Sequence, residues 1–249
     1  MDAIFNHRSI RKYQNKPVDE EILDKILKAA IRGSNTGNMQ LYSIIVTRDE
    51  VLKEKLWEAH FKQDMVKQAP VVLTFCADIN RFHKWTETRN AGKPYDNLLW
   101  WQNATIDTII AAERAALEAE EHGLGICYLG TTLYNADKII EILDLPQGVM
   151  PVTTLVVGYP DEDPPLTDRL PLEAVVHYDK YKDYSVDDID RLFAQKENSE
   201  QAKKFAAENN LDNLAQVFTK VRYKEEDNIF FSKKLVQIAL QQGFMNHNK

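Results

Sequence analysis

Residues 71–77, Val-Val-Leu-Thr-Phe-Cys-Ala, are apolar nearly throughout, and this run limits the possible folds more than any other stretch. A strand with one face in water alternates polar and apolar residues. A run without alternation reads as a buried central strand covered on both faces. Segments 43–47 (SIIVT), 126–129 (ICYL) and 151–158 (PVTTLVVG) carry further strand signals. Helical patterns stand between them. Asp19 is placed to cap a helix in which Ile22, Leu23, Ile26, Leu27, Ala30 and Ile31 recur at helical spacing, ending near Arg32 and Gly33. Asp49 to His60 reads as a second helix. The clearest runs from about Asn103 to His122, with Ile106, Ile109, Ile110, Ala116 and Leu117 marking its buried side and Gly123 placed to stop it. Asn135 to Leu143 gives another, ended before Pro146. Strands alternating with helices predict an α/β or α+β sheet protein.

A chain of 249 residues can form one large domain or two small ones. Its formal net charge of −7 argues against a general electrostatic grip on nucleic acid or anionic lipid, so any anion site must be a local basic pocket suited to a small ligand. Cys76 and Cys127 sit inside apolar segments and form no disulfide framework, which fits a reducing cytoplasm. No stretch resembles a signal peptide or a membrane span. From about residue 180 the chain is polar and helical. Its apolar residues there, among them Leu192, Phe193, Phe205, Val217, Phe218, Leu235 and Ile238, need a partner surface, and a second subunit would provide one.

The candidate site begins at His7-Arg8-Ser9-Ile10-Arg11, which puts three potential cations and a hydroxyl into five residues. Arginine presents a rigid fork of donors suited to phosphate or another planar anion. Taken alone, such a run is more often a solvated surface. Other features add to it: a small polar loop at 33–38 (GSNTGN), and Gly130 just past a strand, where a ligand can approach the backbone closely. Residues 79–101 form a basic, aromatic-rich insertion with Arg81, His83, Lys84, Trp85, Arg89, Lys93, Tyr95, Trp100 and Trp101. It could stack a flat ligand, but more often such a segment packs over a core edge. No nucleophile elbow, Walker loop, zinc helix or dinucleotide fingerprint is present. An enzyme without an obvious nucleophile or proton-transfer group points to a cofactor that carries the reaction.

The segments HRSIRKY (7–13), SNTGNMQ (34–40) and AAERAALEAEEHGLGICYLG (111–130), followed by R-L-P at 169–171, resemble in order and spacing the FMN-dependent nitroreductase family. The closer likeness is to its NADPH-dependent flavin and nitro reductase branch. The resemblance implies an α+β fold with a mixed, largely antiparallel central sheet flanked by helices. It implies an FMN-binding core over 1–172 and a helical C-terminal extension over 173–249 packing on the core and a partner subunit. Two subunits would share two FMN sites. His7, Ser9 and Arg169 would hold the phosphate, with Arg8 in the same cluster, and Arg11 would face the flavin N1 and O2 edge. Ser34, Asn35, Thr36 and Asn38 would reach across from the other subunit. Gln63 would contact the ribityl chain or ring, and Tyr128, Leu129, Gly130 and Thr131 would line the ring near N5. Lys220, Arg222 and Lys224 are candidates for the 2′-phosphate of NADPH, against the alternative of a solvated helix face. Two positions depart from the family pattern: Thr167, where relatives often carry a cation, and Thr131, where they often carry a second glycine. The implied activity is ping-pong reduction of nitroaromatics, quinones, azo compounds or free flavin by NADPH or NADH, without a catalytic side chain or metal. The alternatives are a flavin enzyme of the same fold with another substrate, such as a dehalogenase, and an FMN-binding protein without turnover.

Overall fold

The structure, a computed structural model, describes residues 3–92 and 95–247; Lys93 of the insertion lies outside them. They fall into two compact units, residues 1–165 with 233–249, and residues 166–232.

The first unit is built on a four-stranded sheet. Its elements in chain order are α1 (Ala3–Asn6), α2 (Glu20–Ile31), β1 (Tyr42–Thr47), α3 (Glu50–Ala59), α4 (Met65–Gln68), β2 (Val71–Asp78), α5 (Asn80–Glu87), α6 (Leu98–Glu121), β3 (Gly125–Leu129), α7 (Ala136–Ile142) and β4 (Val149–Gly158). The strand order is β1-β2-β4-β3, every neighbouring pair is antiparallel, and a bulge at Phe75/Cys76 shifts the β2–β4 register. The two central strands, β2 and β4, are buried at every residue, which is why their sequences show no alternation. Side chains pointing to opposite faces make two cores. On one face Leu73, Phe75, Ile126 and Leu155 pack against Leu23, Ile26 and Ala30 of α2 and the alanines of α6. On the other, Val72, Cys127, Leu129 and Val156 meet Leu56, Val66 and Ile139 together with Ile10 and Tyr13. Both cysteines are free and buried.

Asp19 and Asp49 cap α2 and α3 through their side chains, as their sequence positions require. Helix α6 differs from the sequence expectation in two ways. It begins at Leu98, capped by Asn97, rather than near Asn103. Its buried stripe is Ala104, Asp107, Thr108, Ala111, Ala112, Ala115, Ala116 and Ala119, while Ile106 and Ile109 are 54% and 45% exposed. Small residues let α6 lie close to α2; just past α2, Gly33 packs against Ile110, where an added Cβ would stand 2.9 Å from Cγ2, while Ile106 and Ile109 turn outward. In the insertion, Phe82, Trp100 and Trp101 pack against a third cluster around Ile79, Met150 and Phe244. Tyr95 and Trp100 have ring centroids 4.1 Å apart, so these aromatics are used largely on one another.

The second unit holds α8 (Val186–Glu197), α9 (Glu200–Glu208) and α10 (Leu214–Val217), followed by a π-helical stretch, Phe218–Arg222. Helix α11 (Glu225–Gln241) starts in the second unit, and from Lys233 its residues belong to the first. Ser185 and Asp188 form a capping box at the start of α8. No helix among the described residues is long and apolar enough to cross a membrane.

Candidate active site

The basic segment is stitched to the free edge of β3. Ile10 N donates to Ile126 O at 2.9 Å, and Ser9 pairs with Ile126 in an isolated parallel bridge. Two glycines make this approach possible. A Cβ on Gly125 would lie 2.6 Å from Ile10 Cγ1, and one on Gly158 would lie 2.9 Å from Tyr13 Cδ1. The buried Tyr13 hydroxyl donates to Ile10 O at 2.7 Å, and burial pushes its phenol well above the ordinary range. Lys12 N donates to Glu162 Oε1 at 3.1 Å and Asp161 N to Lys12 O at 2.9 Å, tying the segment to the loop after β4. The backbone of residues 9–13 is thus fixed before any ligand arrives.

Its side chains are engaged unequally. His7 Nδ1 lies 2.7 Å from Glu120 Oε1 of α6. Burial raises the Glu120 carboxyl, and His7 works against that rise. Arg8 pairs with Asp163, which accounts for a cation to which the sequence assigned no separate task. Arg11 is exposed, and its Nη1 donates to Ser9 O at 3.3 Å.

β3 carries the site onward to its C-terminal end. The Tyr128 hydroxyl donates to Glu113 Oε2 at 3.1 Å, and burial, then Glu113, drive the phenol pKa up. The Leu129 side chain is buried, and the position a Cβ on Gly130 would take is open, with nothing within 4 Å. Thr131 meets two residues from the end of α3. His60 Nδ1 lies 2.8 Å from Thr131 Oγ1, and Gln63 Nε2 donates to the same oxygen at 3.1 Å and to His60 O at 3.0 Å. Phe61 and Lys62 are both left-handed, with φ of 55° and 59°, and this strained turn is what brings Gln63 back to Thr131. Gln63 and Thr131, far apart in sequence, are therefore neighbours.

The polar loop lies at the C-terminal end of α2. Asp107 of α6, 1% exposed, accepts from Thr36 N at 2.8 Å, from Thr36 Oγ1 at 2.9 Å and from Leu41 N at 3.4 Å. Asn35 Oδ1 accepts from Gln40 N at 3.1 Å. The Thr36 and Asn35 side chains thus hold the loop itself, and Ser34 and Asn38 stand exposed. Among the described residues, no hydrogen bond joins the loop to residues 7–11 or to Thr131. Arg169, Lys220, Arg222 and Lys224 belong to the second unit and are exposed. Arg169 Nη1 donates to the carbonyls of Thr167 and Asp168 in its own loop. The Arg222 guanidinium lies over the Phe205 ring at 4.6 Å.

Sequence reasoning missed Asp107 and His60. Asp107 was legible in principle: it falls on the α6 alanine stripe, at the spacing of Ala104, Ala111 and Ala115, where a carboxylate must find donors. His60, a helix-terminal histidine in a polar stretch, carried no such signal. No cluster of metal-ligating residues occurs among the described residues.

Known proteins resemble this chain closely. The sequence model of the Nitroreductase family matches residues 4–63 and 58–159. A Staphylococcus aureus (strain N315) protein named NADPH-dependent oxidoreductase is 36% identical over 191 residues, 72% of this chain and 74% of its own length. A crystal structure of a Bacteroides fragilis NCTC 9343 protein superposes with a TM-score of 0.97 at 51% identity, covering 99% of this chain and 100% of that one. The NADPH:FMN oxidoreductase from Vibrio harveyi, solved in complex with NAD+, has a TM-score of 0.84 at 25% identity, covering 99% and 98%.

Proposed function

We propose, from the premise that this chain belongs to the nitroreductase family, that it is an oxidoreductase that holds FMN along the β3 edge and draws electrons from NADPH. The observation that carries the proposal is the basic segment 7–11, immobilised at Ile126 of β3, the strand that ends beside Gly130, where an added Cβ would meet nothing within 4 Å. The donor set fits the cofactor. A phosphate needs charged or hydroxyl donors on a fixed backbone, and Ser9, His7 and Arg169 are of the required type. Arg8, neutralised by Asp163, would act on the segment's geometry rather than on the phosphate. Glu120 would hold the His7 ring through Nδ1 and leave Nε2 for the ligand. Thr167 can offer a hydroxyl but no charge.

FMN, held by His7, Ser9 and Arg169 at its phosphate and by Arg11 and residues 128–131 at its ring, would supply the hydride and electron transfer of a ping-pong reduction. The chain's own contribution is electrostatic and steric. Arg11, exposed beside Ser9, would stabilise negative charge arriving at the N1 and O2 edge of the ring. Tyr128, Leu129 and Gly130 would bound the ring, and the open face at Gly130 would admit flat partners of several classes: nitroaromatics, quinones, azo compounds and free flavin. Among the candidates for the NADPH 2′-phosphate, Arg222 is favoured because Phe205 and Phe218 support its guanidinium plane. A second copy of the chain would cover the outward Ile106 and Ile109 of α6 and bring Ser34 and Asn38 to the shared site.

The test separates anchoring from reaction. Ser9→Ala and Arg169→Ala should weaken FMN retention by about tenfold or more, the scale of one charge-assisted hydrogen bond. Arg11→Ala should instead slow anaerobic flavin reduction by NADPH while retention changes little. Equal effects of all three on both measurements would overturn the division of roles.

A further inference from the structure

His60 is the one histidine in the first unit whose ring is wholly buried, at 0% exposure, and its Nε2 has no hydrogen-bond partner among the described residues. Burial pulls its pKa down to about 4, so at neutral pH the ring is neutral and carries a single N–H. Two tautomers are available. If the proton sat on Nε2, a buried donor would have no acceptor, a rare arrangement in folded proteins. With the proton on Nδ1, the ring donates to Thr131 Oγ1 at 2.8 Å, and the orphan is only an acceptor lone pair.

The consequences run outward. His60 O can only accept, so the Gln63 amide nitrogen must face it, and the same nitrogen donates to Thr131 Oγ1. Both Gln63 N–H bonds are then used, and Oε1 is left as an acceptor. Thr131 Oγ1 accepts from both His60 and Gln63, which fills its two lone pairs and leaves its own O–H free to donate. Thr131 directly follows Gly130, where an added Cβ would meet open space, and Gln63 is held against the Thr131 hydroxyl.

We propose that Thr131 Oγ1–H and Gln63 Oε1 form a donor–acceptor pair that reads the imide edge of the flavin ring, a carbonyl oxygen next to an N–H, and that His60 is the positioning residue fixing both. The proposal rests on the FMN reading above. It gives the Thr131 side chain, a departure from the glycine frequent in relatives, a recognition task. His60 touches no ligand: it acts by denying Thr131 any other use for its lone pairs.

The experiment has two independent arms. In the purified protein without added ligand, long-range 1H–15N NMR should find His60 protonated at Nδ1. An Nε2–H tautomer would mean that Thr131 spends its proton on the ring, which overturns the proposal without any reference to flavin. In the second arm, FMN and N3-methyl-FMN are titrated into wild type, Thr131→Val, Thr131→Ser, Gln63→Ala and His60→Phe. Wild type should prefer FMN over its N3-methyl form by about tenfold or more. Gln63→Ala and His60→Phe should lose that preference, Thr131→Val should weaken FMN binding about tenfold, and Thr131→Ser should restore it to within about threefold. Preference unchanged in Gln63→Ala, or FMN binding unchanged in Thr131→Val, contradicts the proposal. Wild type that takes up neither flavin contradicts the FMN reading instead.

Discussion

Asp107 anchors both ends of the 36–41 segment, and the structure allows the cost of losing it to be worked out. The side chain is buried on the inner stripe of α6 and spans the 36–41 segment, accepting from the N–H and hydroxyl of Thr36 at its start and from Leu41 N at its end. Hydrogen bonds to a charged acceptor contribute about 1.5–3 kcal/mol each, and a buried donor left without one costs about 1–3 kcal/mol. Thr36 is half-buried, so water can reach part of its vacated donors, whereas Leu41 is fully buried. Asp107→Ala should therefore destabilise by about 3 kcal/mol, or roughly 6–12 °C in Tm for a chain of this size. Asp107→Asn keeps one acceptor oxygen but turns an amide N–H₂ towards a donor, and should cost about 2 kcal/mol. Thermal unfolding at a single protein concentration measures both, because a subunit equilibrium would otherwise enter Tm. If loop 34–38 also completes a neighbouring flavin site, FMN affinity should fall in parallel. An Asp107→Asn protein as stable as wild type would refute the assignment of Asp107 as the loop's anchor.

Two further perturbations test the geometry of the site. Gly125→Ala places a methyl 2.6 Å from Ile10 Cγ1, so the basic segment must lift from β3; FMN affinity should drop about tenfold or more while the far-UV circular dichroism stays native, a loss of about 1.4 kcal/mol of binding. The buried His60 predicts a pH dependence of stability. Its folded pKa is depressed from 6.5 to about 4, so between those values the unfolded chain binds a proton that the folded chain does not. Stability is fully present above pH 6.5 and falls as pH is lowered toward 4, by at most about 3 kcal/mol. Urea midpoints measured from pH 7 to 4.5 should show the decline, and His60→Gln should flatten it.

Much of the fold could be read from residue patterns because its determinants are local. The apolar runs of β2 and β4, the caps at Asp19 and Asp49 and the stop at Gly123 each announce themselves within a few residues. Helix α6 shows where such reading fails. Its large isoleucines look like a core face, but close packing against α2 selects the alanine stripe, and only the neighbouring helix decides between them. The same holds for the site. The basic segment, the polar loop and Gly130 are visible as chemistry in the chain, whereas the ion pair of Arg8 with Asp163, the link from Thr36 to Asp107 and the contact of His60 with Thr131 join residues 70 or more positions apart. Those partners decide which polar groups remain free for a ligand. Asp163 already engages Arg8, and His60 and Gln63 already engage Thr131, before any ligand is considered.

The central claim is that the β3 edge holds a flavin that NADPH can reduce. Its most direct test is an anaerobic titration of the purified protein, followed by visible absorbance, with NADPH and NADH in parallel. The purified protein should be yellow, carry FMN, and be bleached by about one equivalent of NADPH per flavin and more slowly by NADH. A colourless protein that takes up no added FMN, or a yellow one that neither nucleotide bleaches, would contradict it.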